Sequence, residues 1–279
     1  MKNISKFIIT ALVALTCGGV CMACYSSKEL KESKKKNVSV IRNMGYFSQI
    51  QINGSADIQF IQGSNARTPI RIVGSKSLVD NVVLERNGDV LVVKHKPTSG
   101  QFFYSESGNL TIYITSTDLT SVNINGSGTF TAKSDIDTDN LNVQIKGSGD
   151  AFFRNILCDN VAFETRGSGD IKALSVDTRS AKIDIYGSGD IDVKNIKADN
   201  TDMQVRGSGD IDAVLRNVGT TNIATYGSGD IDVRFIDCGS ASAITVGSGD
   251  IELKGSLGSF KQSIKGSGEI DTRELVVGR

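Results

Sequence analysis

Aspartates recur along the second half of this chain at a spacing that could do chemistry. Asp170, Asp190, Asp210, Asp230 and Asp250 stand at one fixed interval, and Asp192, Asp212 and Asp232 follow just behind three of them. Carboxylates brought side by side have three uses. They bind hard cations such as Ca²⁺ through oxygen, work in pairs as acid and base on glycosidic bonds, or accept backbone N–H groups at tight turns. The third use needs no ligand. At ~4.8 Å, two solvated carboxylates repel by only about 1 kcal/mol, which such backbone bonds offset. Calcium-binding β-rolls carry Gly-Gly-x-Gly-x-Asp repeats of about nine residues. Here the residue two after the second glycine of Gly187-Ser188-Gly189 is Ile191, where that pattern needs Asp, and the period is more than twice as long. The aspartates therefore read first as structural rows with no metal, and a Ca-binding solenoid is an alternative.

Nucleophilic chemistry has less to work with. His95 is the single histidine, so no Ser-His-Asp or Cys-His group is expected. The serine of each Gly-Ser-Gly triplet is one of eight equivalents, whereas an active site breaks a repeat instead of obeying it. The triplets carry no Walker lysine and open no helix, so they are not phosphate cradles. No catalytic residue and no cofactor is assigned. A polysaccharide-active β-helix enzyme is the alternative from another class.

The elements that position these residues are announced by the triplets, which begin at Gly126, Gly147, Gly167, Gly187, Gly207, Gly227, Gly247 and Gly266. The first interval is one longer than the five equal ones that follow, and the last is one shorter. So steady a period marks a solenoid, in which each coil buries its apolar side by stacking on its neighbours. With the first glycine as zero, offset −4 reads Val143, Phe163, Ile183, Met203, Ile223, Ala243, and offset +4 reads Ala151, Ile171, Ile191, Ile211, Ile231, Ile251, Ile270. Offsets −2 and +6 are also mostly apolar, Ile264 closing the first of these columns. Even offsets on extended chain share one side, so these columns face inward. Both glycines fall on that side, where a tight corner leaves no room for a side chain. The odd offsets face outward: Arg166, Tyr186, Arg206 and Tyr226 at −1, the Asp170 to Asp250 series at +3, and Asp192, Asp212 and Asp232 at +5. Arg206 is placed between Tyr186 and Tyr226, in reach of cation–π contact.

Residues 38–125 are strand-rich but less regular, with runs such as Ile50-Gln51-Ile52 and Val90-Leu91-Val92-Val93 separated by turn signals. Gly54-Ser55-Ala56-Asp57-Ile58 is a degenerate copy of the triplet region, well upstream of Gly126. This half reads as wider coils of the same structure, with Tyr113 and Phe102-Phe103-Tyr104 as candidates for capping the first coil. Only Ser77 to Leu84 has room for a helical turn. Cys158 and Cys238 each occupy the same place ahead of a triplet, four coils apart. That is about 19 Å, beyond disulfide reach, so two unpaired buried thiols are expected.

Residues 1–23 have the marks of an export signal: Lys2 and Lys6, an apolar run from Phe7 to Leu15, and Ala23 at a cleavage point. Cys24 follows, so the segment resembles a bacterial lipoprotein signal with Cys24 as the acylated residue, although Cys21 stands three before it where Leu is usual. Cleavage to a periplasmic or secreted protein is the alternative. Residues 24–37 form a polar tether that includes Lys34-Lys35-Lys36, and 38–279 form the single domain. Formal charge is zero, with 31 basic and 31 acidic residues, which argues against nucleic acid as a partner.

Phe47-Ser48-Gln49-Ile50 leading to Gly54-Ser55-Ala56-Asp57-Ile58, then Thr111-Ile112-Tyr113-Ile114 to Leu119-Thr120-Ser121-Val122, then the Gly-Ser-Gly-Asp series, together resemble the auto-transporter adhesin head GIN domain family of exported bacterial proteins. The likeness covers nearly all of 38–279. It implies a β-helical domain at the cell envelope and an adhesin-like role, and it transfers no catalytic or binding residues. The last repeat ends close to Arg279, so no outer-membrane barrel is expected after it. Taken together, the reading is an all-β, single-domain, right-handed parallel β-helix with about 20 residues per coil in the C-terminal half, anchored through Cys24 to an envelope membrane, the outer membrane by preference. Its expected partner is a glycan or an envelope or cell-surface protein, met by the outward ladders, and the lipid anchor is its only contact with a membrane.

Overall fold

Each strand of the repeat region is paired, in parallel, with the strand one coil away. In the computed structural model, which describes residues 37–64, 69–96 and 110–278, Asn140–Gly147 lies against Asn160–Gly167 with Val143↔Phe163 and Gly147↔Gly167 in register. On the other side of the triplet, Ile171–Asp177 lies against Ile191–Lys197 with Ile171↔Ile191. Two long parallel ladders result, one before and one after the triplets, and they form a β-solenoid of about 8 turns. Cys24, the signal, the tether before Asn37 and Phe102-Phe103-Tyr104 lie outside the described residues.

The inward columns are where parity places them. Val143, Phe163, Ile183, Met203, Ile223 and Ala243 are all 2% exposed or less, as are Ile191, Ile211, Ile231 and Ile251. Phe60, Phe130, Phe153 and Phe163 run through the lower core with successive ring centres 5.8, 5.5 and 6.2 Å apart. Thr165, Thr225 and Thr245 substitute for Ile in an inward column because each hydroxyl donates to a carbonyl in the following triplet, that of Gly169, Gly229 and Gly249, at 2.8, 2.9 and 2.8 Å. Ile264 departs from the expectation: it is 46% exposed, because no further described strand lies beyond its coil.

The glycines are required for a different reason from a crowded interior corner. A Cβ on Gly189 would lie 2.1 Å from the carbonyl oxygen of Gly169, and one on Gly169 would lie 1.9 Å from that of Gly149. The obstacle is the backbone of the coil below, so every added side chain would wedge two coils apart. Positive φ is an additional demand at Gly147 and Gly167 but not at Gly189.

Period and register separate where the spacing is irregular. The longer first step is absorbed between strands: Thr129 pairs with Asp150, whereas Ile136 pairs with Ile156 at the ordinary spacing. The shorter last step is absorbed where the register shifts between Phe235 and Cys238, and Gly247↔Gly266 is restored. Asn217 and Asp237 take φ of 53° at equivalent bends, a conformation that Asn and Asp tolerate better than other residues with a Cβ.

The first third is not a run of wider coils. Gln49–Gly54 pairs in parallel with Ser121–Gly126 on one side and with Val90–His95 on the other. Gly54 thus sits against Gly126, and the long sequence interval between them is a single coil step in space. The chain between them drops to the layer beneath and finishes in antiparallel pairings, Ile70–Gly74 with Thr111–Ser116 and Val82–Asn87 with Val90–His95, while Val38–Arg42, from ahead of Gln49, adds antiparallel to Ile70–Gly74. A short helix, Lys76–Asn81, belongs to this cap. Tyr113 does sit there, with the Arg71 guanidinium 4.1 Å from its ring centre. His95 packs beneath Gly54, where a Cβ would come within 3.0 Å of its Nδ1. Cys158 and Cys238 are free and buried, and burial pushes the Cys158 thiol up.

Two substitutions test this packing. Gly189→Ala should destabilise by on the order of 3 kcal/mol through the coil-to-coil clash, read as a fall in Tm of roughly 6–12 °C. An unchanged Tm would mean the coils are not in backbone contact there. Thr201 and Thr221 face each other in the core, 1% exposed, with hydroxyls that have no protein partner. Thr221→Val should therefore raise stability by about 1 kcal/mol in denaturant titration.

Candidate binding surface

The −1 column forms a continuous stack on the outside of the first ladder. The Arg166 guanidinium lies 4.5 Å from the Tyr186 ring centre, and Arg206 lies 5.6 Å from Tyr186 and 5.4 Å from Tyr226. Register supplies the order, since these residues occupy equivalent places in successive coils, and each exposed contact contributes roughly 0.5–1 kcal/mol. Arg166 is also oriented from its own strand: its Nε and Nη2 donate to Glu164 at 2.6 and 3.2 Å. Gln144 donates to the same carboxylate. Arg166, with help from Gln144, holds the Glu164 carboxyl below its usual range. Glu164 was not singled out in the sequence; its odd offset beside Arg166 was the available signal.

The +3 column is bound into the backbone. Asp150 Oδ1 accepts the amide N–H of Asp170 at 3.0 Å, and the same bond recurs from Asp190 to Asp170, Asp210 to Asp190, Asp230 to Asp210, and Asp250 to Asp230, at 3.1, 2.9, 2.8 and 2.7 Å. Glu269 closes the series by donating to Asp250 at 2.7 Å. The peptide is held on its other side too: Ile191 N–H donates to the Asp210 carbonyl at 2.9 Å and Ile211 N–H to the Asp230 carbonyl at 3.0 Å. Each Asp-Ile pair brackets the aspartate of the next coil through its N–H and its C=O. The aspartates do meet backbone donors, but those donors belong to the neighbouring coil and not to a local turn.

The +5 column behaves differently. Asp192 pairs with Lys194 and Glu252 with Lys254, both at 2.7 Å, and Asp271 with Arg273. Arg273 brings the Asp271 carboxyl down to about 2. Among the described residues no ion pair holds Asp212 or Asp232. Both carboxyls are pushed up from their ordinary value, mainly because the surrounding wall strips water from them, with Asp192 adding repulsion at Asp212, and Glu252 and Asp212 adding it at Asp232. Among the described residues no three His, Cys, Asp or Glu side chains gather closely enough to hold a metal ion.

The fold and wall define a class: a repeat β-solenoid that presents ordered polar ladders over a closed core. The family described as "Putative auto-transporter adhesin, head GIN domain" matches residues 46–218 and 214–279, and the chain belongs to it. Among solved structures it is similar to a putative adhesin of Parabacteroides merdae (20% identity, 85% of this chain and 97% of that one, TM-score 0.74). A putative lipid binding protein of Parabacteroides distasonis (23%, 87% and 98%, TM-score 0.72) and a putative adhesin of Bacteroides fragilis (22%, 85% and 96%, TM-score 0.65) share the fold. Comparison with curated proteins gives no match. Family membership supports an adhesin-like, non-enzymatic role and implies an exported, cell-surface protein.

The two acidic columns should respond differently to substitution. Asp210→Ala leaves the Asp230 N–H without its acceptor and should cost about 1.5–3 kcal/mol in denaturant titration, whereas Asp210→Asn keeps an oxygen there and should cost less. Equal, negligible losses would show that the bracket does not hold the coils. At Asp212 a raised pKa means the folded state holds the proton more tightly than the unfolded one. The destabilisation is thus absent at low pH and sets in as pH rises through the folded pKa. Asp212→Asn should raise Tm at neutral pH, and the gain should vanish as pH falls below the ordinary Asp value of 3.8.

Proposed function

We propose that this chain is a non-enzymatic, adhesin-like protein of the cell envelope, tethered by acylated Cys24 to the outer membrane, that binds a glycan or a cell-surface protein through its outward ladders. The observation that carries this reading is the Arg166–Tyr186–Arg206–Tyr226 stack, in which each guanidinium and ring is held by its neighbours before any ligand arrives. Side chains ordered in advance lose less entropy on binding, and Tyr and Arg are the types most often central to binding energy. Repetition along the stack adds many weak contacts to an extended or clustered partner. Asp190, Asp210 and Asp230 contribute chiefly by keeping successive coils in register, and Asp192, Asp212 and Asp232 supply polar groups to the adjoining wall.

The test is a glycan array run beside binding to intact cells, with the wild-type protein and a Tyr186→Ala/Tyr226→Ala variant. A loss of about tenfold or more is expected from removing two central aromatics. Undiminished binding by the double variant would move the surface elsewhere, and turnover of any polysaccharide in a parallel cleavage assay would overturn the non-enzymatic reading. Palmitate labelling should be present in the wild type and lost in Cys24→Ala; an unlabelled wild type would remove the anchor.

A further inference from the structure

One part of the wall departs from the repeat, and it does so around a cavity. At offset +5 the coils carry Asp192, Asp212, Asp232 and Glu252, but the two coils below them carry Phe152 and Lys172. At +7, Leu174 stands between Arg154 and Lys194. Leu174 is 58% exposed, an apolar side chain on the outward face of its strand. A cavity of about 460 Å³ opens here, spanning four successive coils from Thr131 to Lys194. Its apolar floor is formed by Phe152 and Leu174, and its rim by Lys133, Arg154, Lys172 and Lys194, with Asp192 the only acid in the lining.

The charges favour an anion. Asp192 is engaged by Lys194 at 2.7 Å. Lys172 and Arg154 lie 3.4 and 3.8 Å from Asp170 and Asp135, exposed pairs that exchange partners readily. Lys133 has no ion pair among the described residues. Further up the same wall a second cavity, of about 300 Å³, is lined by Asp192, Asp212, Asp232 and Glu252 together with Lys194, Arg234 and Lys254, so acids there outnumber cations and the excess of positive charge lies in the lower cavity. The selective end is therefore the lower one, near Lys133 and Arg154. Four coils at ~4.8 Å per step give a groove about 14 Å long, and its volume lies in the range of ligand sites, roughly 300–1,000 Å³.

We propose that this cavity binds a single-chain amphiphilic anion. An extended acyl body lies along Leu174 and Phe152, and an anionic head is held by Lys133 and Arg154, with Lys172 beside it. Phe152 and Leu174 supply the contact that the charged residues of neighbouring coils cannot. This site lies on the ladder after the triplets, whereas the Arg–Tyr stack lies on the ladder before them, so the two are separable by mutation.

The experiment is calorimetric titration of the mature protein with decanoate below its micellar concentration, with decanol and inorganic phosphate as the uncharged and tail-less arms. Saturable one-to-one binding of decanoate is expected, with weaker binding of decanol and none of phosphate. Leu174→Asp should weaken decanoate about tenfold or more by removing a large apolar contact, and Lys133→Glu by about fivefold. Leu157→Asp, at another exposed leucine outside the cavity, should leave binding unchanged. All three replace exposed side chains, and circular dichroism confirms the fold of each. No saturable binding, equal weakening by Leu157→Asp, or decanol binding as tightly as decanoate would overturn the proposal.

Discussion

Everything in this protein depends on how closely one coil approaches the next at the triplets. The glycine Cα atoms stack so tightly that a single added methyl would lie 2.1 Å from a backbone carbonyl oxygen, as at Gly189 over Gly169. Only a residue without Cβ permits that approach. Once it is permitted, each coil places its N–H and C=O groups within reach of its neighbour, and the aspartate that follows six of the eight triplets is carried to the right height to accept the next amide. Contact and clamp are two consequences of the same spacing.

That spacing also explains why the wall is so uniform and where it becomes informative. A carboxylate that accepts a backbone N–H in every coil is part of the frame, and Asp170, Asp190, Asp210, Asp230 and Asp250 are of this kind. Side chains not engaged with the frame are free to differ between coils, and they do. Offset −1 alternates Arg and Tyr to make a stack, and offset +5 changes from Phe152 and Lys172 to a run of acids. The stack and the cavity are both products of positions that the frame leaves unconstrained.

Much of this was legible in the sequence. The inward columns, the outward ladders, the place of Arg206 between two tyrosines and the unpaired cysteines all follow from a steady period and the parity of extended chain. The N-terminal cap did not follow. Gln49–Gly54 and Ser121–Gly126 are neighbours in space though far apart along the chain. Nothing in either strand says that the chain between them folds beneath both and finishes in antiparallel pairs. The glycines were assigned correctly as indispensable but for the wrong obstacle, since the clash lies along the stack and involves atoms of another coil.

The division has a physical cause. A repeat specifies its own neighbours: each coil meets a copy of itself, so period alone sets register, core and columns, and the sequence by itself determined the solenoid. Where the repeat lapses, the partner of a strand is set by which non-local closure satisfies its open backbone edge, and where a polar atom finds its partner depends on distances between coils. The tertiary structure alone decided the cap, the acceptors of the amides, the clash at the glycines, and the opening of a cavity where Phe152 and Leu174 interrupt the charged columns.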